Sequence, residues 1–336
     1  MEKKPAEAIR PNLVSSFVKI FSAACLLALS ISNALADPAS ELASFSVFDK
    51  VDLAALAKEP AVAHGPPLSG RYISTQSAFV VPSPPARVAD ALRQWNPVRH
   101  SELKVLIHGD LPSSPGPVNF SRLSSAPNNG AVQALVSATQ KLSPDLQISK
   151  EEEKRFASVA GATGMPGPMA TAWADVLSAR GRAGRSAQPP YDHTGQNVRP
   201  SEELNALLRS NDKISGRFSG VLNGKGDQFW ELLTADELGV LTLGASFRRA
   251  GSSGTFQAAD ALYYASGGYY AGLTLYQMWP VDVGGKQSTL VWRGDFISSA
   301  TIAGLHGIER VASESSMMRD ISKAISAFRR DTGGGR

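Results

Sequence analysis

The sequence predicts an α+β protein, in which an antiparallel sheet packs on a C-terminal helix and a helical insertion or subdomain interrupts the chain. Four extended runs in the last third are joined by Gly-rich turns, a spacing that favours an antiparallel meander; they span residues 239–248, 257–266, 269–279 and 287–298. Residues 313–329 then predict a helix with an apolar stripe, formed by Met317, Met318, Ile321, Ile325 and Phe328. With 336 residues and 43% hydrophobic content, the chain is long enough to bury a substantial core.

The first 36 residues predict a secretory signal peptide. A basic region precedes the apolar stretch IFSAACLLALSI, and Ala34-Leu35-Ala36 forms an A-x-A cleavage site before Asp37. About 12 apolar residues fall short of the ~20 that span a bilayer, and no later stretch is long and apolar enough. We therefore expect an exported protein, periplasmic or extracellular, with no transmembrane span in the mature chain.

Charge and cysteine content exclude several classes of function. The expected leader removes four of the 34 basic and two of the 30 acidic residues, which leaves a net charge of +2. Because nucleic-acid binding calls for a concentrated basic face, no nucleic-acid partner is expected. The single cysteine, Cys25, lies in the leader, so the mature chain has no disulfide and no thiol chemistry.

Helix-breaking residues and the spacing of apolar residues predict how the mature chain is organised. Residues 37–69 are predicted to be a linker, because Pro and Gly are concentrated in KEPAVAHGPPLS. Residues 70–331 are predicted to form the main domain, and residues 332–336 are expected to be a disordered tail. YISTQSAFVV predicts a first strand, Val88, Leu92 and Trp95 then recur on one helical face, and KVLIH predicts another strand.

The middle of the chain, about residues 109–228, predicts a helical insertion. Helical periodicity covers residues 131–142, 150–159 and 170–179. Residues 180–200 are polar and rich in breakers, and they carry Arg180, Arg182 and Arg185. This segment is interpreted as a solvated linker, since nothing in the sequence fixes the guanidinium groups; the alternative is an anion-binding loop.

The run ALYYASGGYYAGLTLYQMW holds five of the seven tyrosines. A two-residue turn at Gly267-Gly268 would pair Ser266 with Tyr269 and place Gly272 opposite Tyr263. One face would then carry Leu262, Tyr264, Tyr269, Leu273 and Leu275, and the other Tyr263, Tyr270, Thr274 and Tyr276. Protein could cover both faces, one face could line a ligand cavity, or exposed tyrosines could meet a partner.

This order of elements resembles the helix-grip fold of the START and Bet v1-like superfamily. The resemblance rests on a strand leading into VPSPPARVADAL, a long antiparallel stretch, and a helix after VWRGDFISSATIAGLHGIERVASESSMM. It covers residues 70–108 and 239–330 and implies a curved sheet that wraps the last helix and encloses a cavity for lipids or other apolar ligands. A middle segment that shared the main core would argue against the resemblance.

The implied cavity gives a set of candidate ligand-binding residues, each of which could equally be core. From the sheet these are Tyr263, Tyr270, Tyr276, Met278, Trp279 and Trp292, and from the helix Met317, Met318 and Ile321. Arg293 and Asp295 lie two apart on a strand, where they could hold a polar head group or form a surface ion pair. The predicted function is binding of an apolar or amphipathic small molecule or lipid.

Two other functions remain open. An envelope interaction or structural protein would use the tyrosine hairpin to contact a protein partner, and an enzyme would act within the same cavity. No catalytic set, metal site or cofactor is assigned, because the histidines lack metal-ligand spacing and the two S-x-x-K matches of the mature chain, at Ser101 and Ser210, lack accompanying motifs.

Overall fold

The computed structural model describes residues 37–333. The predicted signal peptide, Met1–Ala36, lies outside the described residues, as does most of the predicted tail. The described chain is α+β, with a curved antiparallel sheet and a long C-terminal helix, which confirms the predicted fold class.

One eight-stranded sheet organises the molecule. All neighbouring strands run antiparallel, in the order β1-β2-β8-β7-β6-β5-β4-β3. The strands are β1 (Ala61–His64), β2 (Tyr72–Val81), β3 (Val105–Leu111), β4 (Asp227–Ala235), β5 (Leu238–Ala250), β6 (Phe256–Ala265), β7 (Ala271–Val283) and β8 (Lys286–Ser298). Strands β5 to β8 form the predicted meander, β4 extends it by one strand that the sequence did not predict, and β2 pairs with β8 along its whole length.

Helices fill the connections between the strands. They are α1 (Pro38–Phe45), α2 (Leu53–Lys58), α3 (Pro85–Gln94), α4 (Gly130–Gln140), α5 (Lys150–Glu153), α6 (Pro168–Ala183), α7 (Pro200–Arg209), α8 (Asp212–Phe218), α9 (Ala300–Ala303) and α10 (Ile308–Asp331). Helix α3 joins β2 to β3, α4 to α8 lie between β3 and β4, and α10 ends the described chain. Within residues 37–333 no helix meets the length and hydropathy needed to cross a membrane.

Helices α3 and α10 cover one face of the sheet. Ile321, Ile325 and Phe328 of α10 join a cluster with Phe79, Val88 and Val291, while Trp95 meets Phe328 edge to face at 5.8 Å. This is the predicted stripe of α10, although the helix begins five residues earlier than predicted, after Gly307 at φ 52°. We call this side of the sheet the grip face.

The helical insertion covers the opposite face, in one core with the sheet. Trp173 of α6, Trp230 of β4 and Trp292 of β8 are fully buried there. On the sequence alone, a middle segment in the main core was expected to argue against the resemblance, and the insertion does share that core. The helix-grip-like arrangement of sheet and C-terminal helix is nevertheless present. A sheet has two faces, so the insertion packs on one while α10 keeps the other.

Residues 37–69 form two helices and an edge strand rather than the predicted linker. Asp37 caps α1 by accepting from the Ser40 backbone N–H, and Asp52 caps α2. Phe45 packs on Trp292 with ring centroids 4.9 Å apart. The helices were missed because each is at most eight residues long, too short to show periodicity.

We expect Glu41→Ala to lower the free energy of unfolding by about 1–2 kcal/mol, because Glu41 ties α1 to the rest of the core. Its carboxylate pairs with Arg217 and accepts from the Trp279 indole N–H at 2.8 Å. Urea unfolding measures the effect, with Glu59→Ala, an exposed site in the same segment, as the control. Equal stability of the two variants would show that the Glu41 contacts do not help to hold α1 on the core.

Arg180, Arg182 and Arg185 are held by protein groups, contrary to the interpretation of their segment as a solvated linker, and residues 180–183 belong to α6. Arg180 is fully buried and pairs with Glu152. Arg182 donates to the Pro115 carbonyl at 2.9 Å and Arg185 to the Leu222 carbonyl at 3.1 Å. These partners are distant in sequence, which is why the pattern of residues gave no sign of them.

The register of the tyrosine hairpin is shifted by one residue from the prediction. Leu262, not Tyr263, lies opposite Gly272, because five residues rather than two connect β6 to β7. A bulge in the β5–β6 pairing leaves Tyr263 without an opposing residue, so Tyr263 and Tyr264 both enter the insertion-side core. Leu262, Tyr269, Thr274 and Tyr276 instead face the grip side, where they line a cavity.

Candidate functional site

A cavity of about 840 Å³ lies on the grip face. Strands β3 to β8 form its floor, and residues of α3, α10 and the chain segment after α3 form its walls. The packed cluster of Phe79, Val88 and Phe328 fills the neighbouring part of the grip, towards β2. Because the sheet continues past this cluster towards β3, the space above β4, β5 and β6 stays open.

A row of six polar residues crosses the grip face of the sheet. Strand pairing places them side by side on six strands, in the order Thr75, Asp295, Thr274, Asp260, Ser246 and Asp227. Directly paired residues of antiparallel strands point to the same face. The four that line the cavity are Thr274, Asp260, Ser246 and Asp227.

Hydrogen bonds order this polar row. Asp260 accepts from the Ser246 hydroxyl at 2.6 Å, and Asp295 accepts from the Thr274 hydroxyl at 2.9 Å. Arg293 holds the Asp295 carboxylate through Nε at 2.8 Å and Nη2 at 2.7 Å. Its guanidinium also lies 5.6 Å from the centre of the Tyr276 ring. The floor is therefore a fixed array of one arginine, two carboxylates and a tyrosine.

Burial sets the protonation of these groups. Burial raises the pKa of Asp260 above its usual range, although the Ser246 hydrogen bond and the charge of Arg293 oppose the rise. Burial also raises the pKa of Tyr276, which keeps its phenol neutral. Burial alone would lower the pKa of Arg293, but the Asp295 carboxylate outweighs that cost, so its guanidinium stays charged.

The rim beside β3 carries a second polar group. Glu231 pairs with His108 Nδ1 at 2.9 Å, and the His108 ring stacks on Phe229 at 5.8 Å. Asp110 and Asp227, also at the cavity, have side chains that are 95% and 67% exposed. Solvent therefore reaches the cavity from this side, while Asp260 lies deeper.

The predicted ligand-binding residues separate into three groups. Tyr276 and Arg293 line the cavity, with Asp295 bound to Arg293. Met278, Met317 and Ile321 belong to the packed cluster beside it, and Met318 is half-buried on α10. The remaining four, Tyr263, Tyr270, Trp279 and Trp292, lie in the core on the opposite face of the sheet.

The aromatic residues on that opposite face are held by protein groups. Tyr263 donates to Gln228 at 2.8 Å and Tyr270 to Gln196 at 3.1 Å, and both rings are buried. Trp279 donates to Glu41, and Trp292 donates to Gln76 at 3.1 Å. These side chains are buried among protein groups, and the hairpin does not display them to solvent.

Sequence reasoning missed Asp260, Ser246, Thr274 and Glu231 as site residues. One signal was present, because Asp260 is the single charged residue in β6, FQAADALYYA. A charge inside an otherwise apolar strand is costly to bury, and so marks a position worth naming. Its neighbours in the row depend on strand register, which the sequence alone did not give.

Comparisons with known proteins report little similarity. No family model matches the sequence, and no curated protein matches it. Among solved structures, Ara h 8.0201, a homologue of Bet v1, aligns with 40% of this chain and 91% of its own at 11% identity and a TM-score of 0.19. A likeness at this level carries no argument; the helix-grip class rests on the strand order and on α10.

Proposed function

We propose that this protein binds a small amphipathic molecule, without covalent chemistry, in the grip-face cavity. The observation that carries the proposal is the cavity itself. Its volume of about 840 Å³ lies within the ~300–1,000 Å³ of small-molecule sites. Leu92, Leu262 and Ala324 offer apolar wall, while Asp260 and Arg293 offer polar floor.

The mixed lining favours an amphipathic ligand over a wholly apolar one. An apolar molecule filling the cavity would strip water from Asp260 and give nothing in return, a cost of several kcal/mol for a buried charge. A ligand with a polar end on the floor and an apolar body against the walls avoids that cost. The sequence predicted either an apolar or an amphipathic ligand, and we therefore propose the amphipathic one.

Ligand-dependent thermal stability tests this proposal. A panel of amphipathic small molecules and lipids is titrated against the purified protein. Binding to the folded state alone adds RT ln(1 + [L]/Kd), about 2.7 kcal/mol at a ligand concentration 100 times Kd. We expect at least one class to raise the melting temperature by several degrees, in a dose-dependent way. A flat response across the panel would count against a binding function.

We also propose that the sheet with α10 is related to the START and Bet v1-like superfamily. The strand order and the position of α10 support this relation.

We propose in addition that the chain is exported. Support for export comes from the apolar stretch and the A-x-A site. A chain cut there keeps Asp37, the cap of α1. Intact-mass measurement on protein from the exporting host should give a chain that begins at Asp37. A mass that includes residues 1–36 would contradict cleavage.

A further inference from the structure

Asp260 differs from the other carboxylates that line the cavity. Glu102, Asp110, Asp227, Glu231 and Asp320 each have an Arg, Lys or His nitrogen within 3.9 Å. Within residues 37–333, Asp260 has no such nitrogen at ion-pair distance; its hydrogen-bond partner is the neutral Ser246 hydroxyl, which donates to Oδ1 at 2.6 Å. Its second oxygen, Oδ2, accepts no hydrogen bond from the described residues.

Tyr276 provides an independent indication of a ligand at the same place. The side chain is 6% exposed, lines the cavity, and lies on the strand next to Asp260. Its hydroxyl makes no hydrogen bond to any residue of the described chain and is not among the buried atoms, so it is accessible from the cavity. A hydroxyl oxygen at a cavity wall, beside a carboxylate with no cation in contact, can accept a hydrogen bond from the same donor group of a bound molecule.

The basic group whose charge acts on Asp260, Arg293, is already paired with another carboxylate. Arg293 directs Nε and Nη2 at Asp295, with contacts of 2.7–3.1 Å. Asp295 therefore compensates much of the charge of Arg293, and the Asp260 carboxyl group has no basic group in contact with it. Burial raises the pKa of Asp260, which is the cost expected of a carboxyl group with no cation in contact.

Resting on the proposed function, we propose that the ligand is an amphipathic amine. Its ammonium group binds Asp260 Oδ2 and the Tyr276 hydroxyl oxygen, and its apolar body lies along Leu262 and Ala324. An ammonium group supplies the missing charge and up to three N–H donors, and charge-assisted hydrogen bonds of this kind are the strong ones. An anionic ligand at Arg293 is the rival, since the same cavity would admit it.

Two matched sets of probes test the charge preference by titration calorimetry. One set is tryptamine, tryptophol and indole-3-propionate, and the other is decylamine, decanol and decanoate. Within each set the apolar body is kept while the polar end is cationic, neutral or anionic. We expect the amines to bind about 10- to 100-fold more tightly than the matched alcohols.

Three variants assign that preference to particular groups. Asp260→Asn should abolish the preference for amines over the matched alcohols, and Tyr276→Phe should reduce that preference several-fold. Glu151→Gln, at an exposed carboxylate that pairs with Lys154 and does not line the cavity, is the control and should keep the preference. Asp260→Asn should fold with a melting temperature at or above that of the parent, because it removes a charge that burial disfavours.

The other possible results of the titrations distinguish failure of the amine assignment from failure of the proposed binding function. If the alcohols bind and the amines bind no better, the amine assignment is wrong and the binding function stands. If the carboxylates bind most tightly, the assignment is overturned in favour of Arg293. If no member of either set binds, the binding function fails, and the amine assignment fails with it.

Discussion

Replacing Arg180 with methionine is expected to lower the free energy of unfolding by about 3–5 kcal/mol. The Arg180 side chain is fully buried and holds Glu152 through Nε at 2.6 Å and Nη2 at 2.5 Å. Its guanidinium also lies 4.3 Å from the centre of the Tyr264 ring. The variant would leave the Glu152 carboxylate buried without its cation, which costs more than the lost contacts themselves.

The matched control is the double variant Arg180→Met/Glu152→Gln. It removes both charges, while the glutamine can still accept from the Ser149 backbone N–H, as Glu152 does at 2.7 Å. Because a buried ion pair can often be replaced by neutral groups at little cost, the double variant should recover much of the stability. Urea unfolding followed by circular dichroism compares the three proteins. A loss below about 1 kcal/mol in the single variant would mean that water reaches this pair.

Filling the cavity is expected to abolish ligand binding while leaving the fold intact. Leu262→Trp on β6 and Ala324→Trp on α10 would place two large rings in the cavity from opposite walls. Both side chains are half-buried and border open volume, so the added rings need not displace packed neighbours. The affinity for a ligand that stabilises the parent should fall by about 100-fold or more, equivalent to at least ~2.7 kcal/mol.

Arg319→Trp is the control for the added bulk, because Arg319 is exposed on α10 and does not line the cavity. This variant should bind as the parent does. Calorimetric titration gives the affinities, and circular dichroism checks the fold of all three proteins. If the double variant bound with unchanged affinity, the ligand would occupy some other part of the molecule.

The elements of the grip could be predicted because their patterns are local. Strand β2, helix α3 and strands β5 to β8 are marked by alternation, Gly-rich turns and a proline at the helix start. The long helix α10 carries an apolar stripe. In contrast, α1, α2 and β1 are short, and they are stabilised by contacts such as Phe45 on Trp292, whose partners lie far away in the sequence.

The only site residues that could be predicted were those whose spacing within one strand implied a shared face. Arg293 and Asp295 were paired because two residues on one strand share a face. Asp260 and Ser246 join them only through the register of three strand pairs. A one-residue slip reverses the face of every side chain in a strand, and the bulge at Tyr263 produced a change of this kind.

The most direct test of the central claim is native mass spectrometry of the protein purified from its exporting host. The parent, the Leu262→Trp/Ala324→Trp variant and the Arg319→Trp control are compared, and bound molecules are identified by organic extraction. A small amphipathic molecule should accompany the parent and the control but be lost from the double variant. The same bound mass on all three proteins, or none on any of them, would contradict a ligand-binding cavity on the grip face.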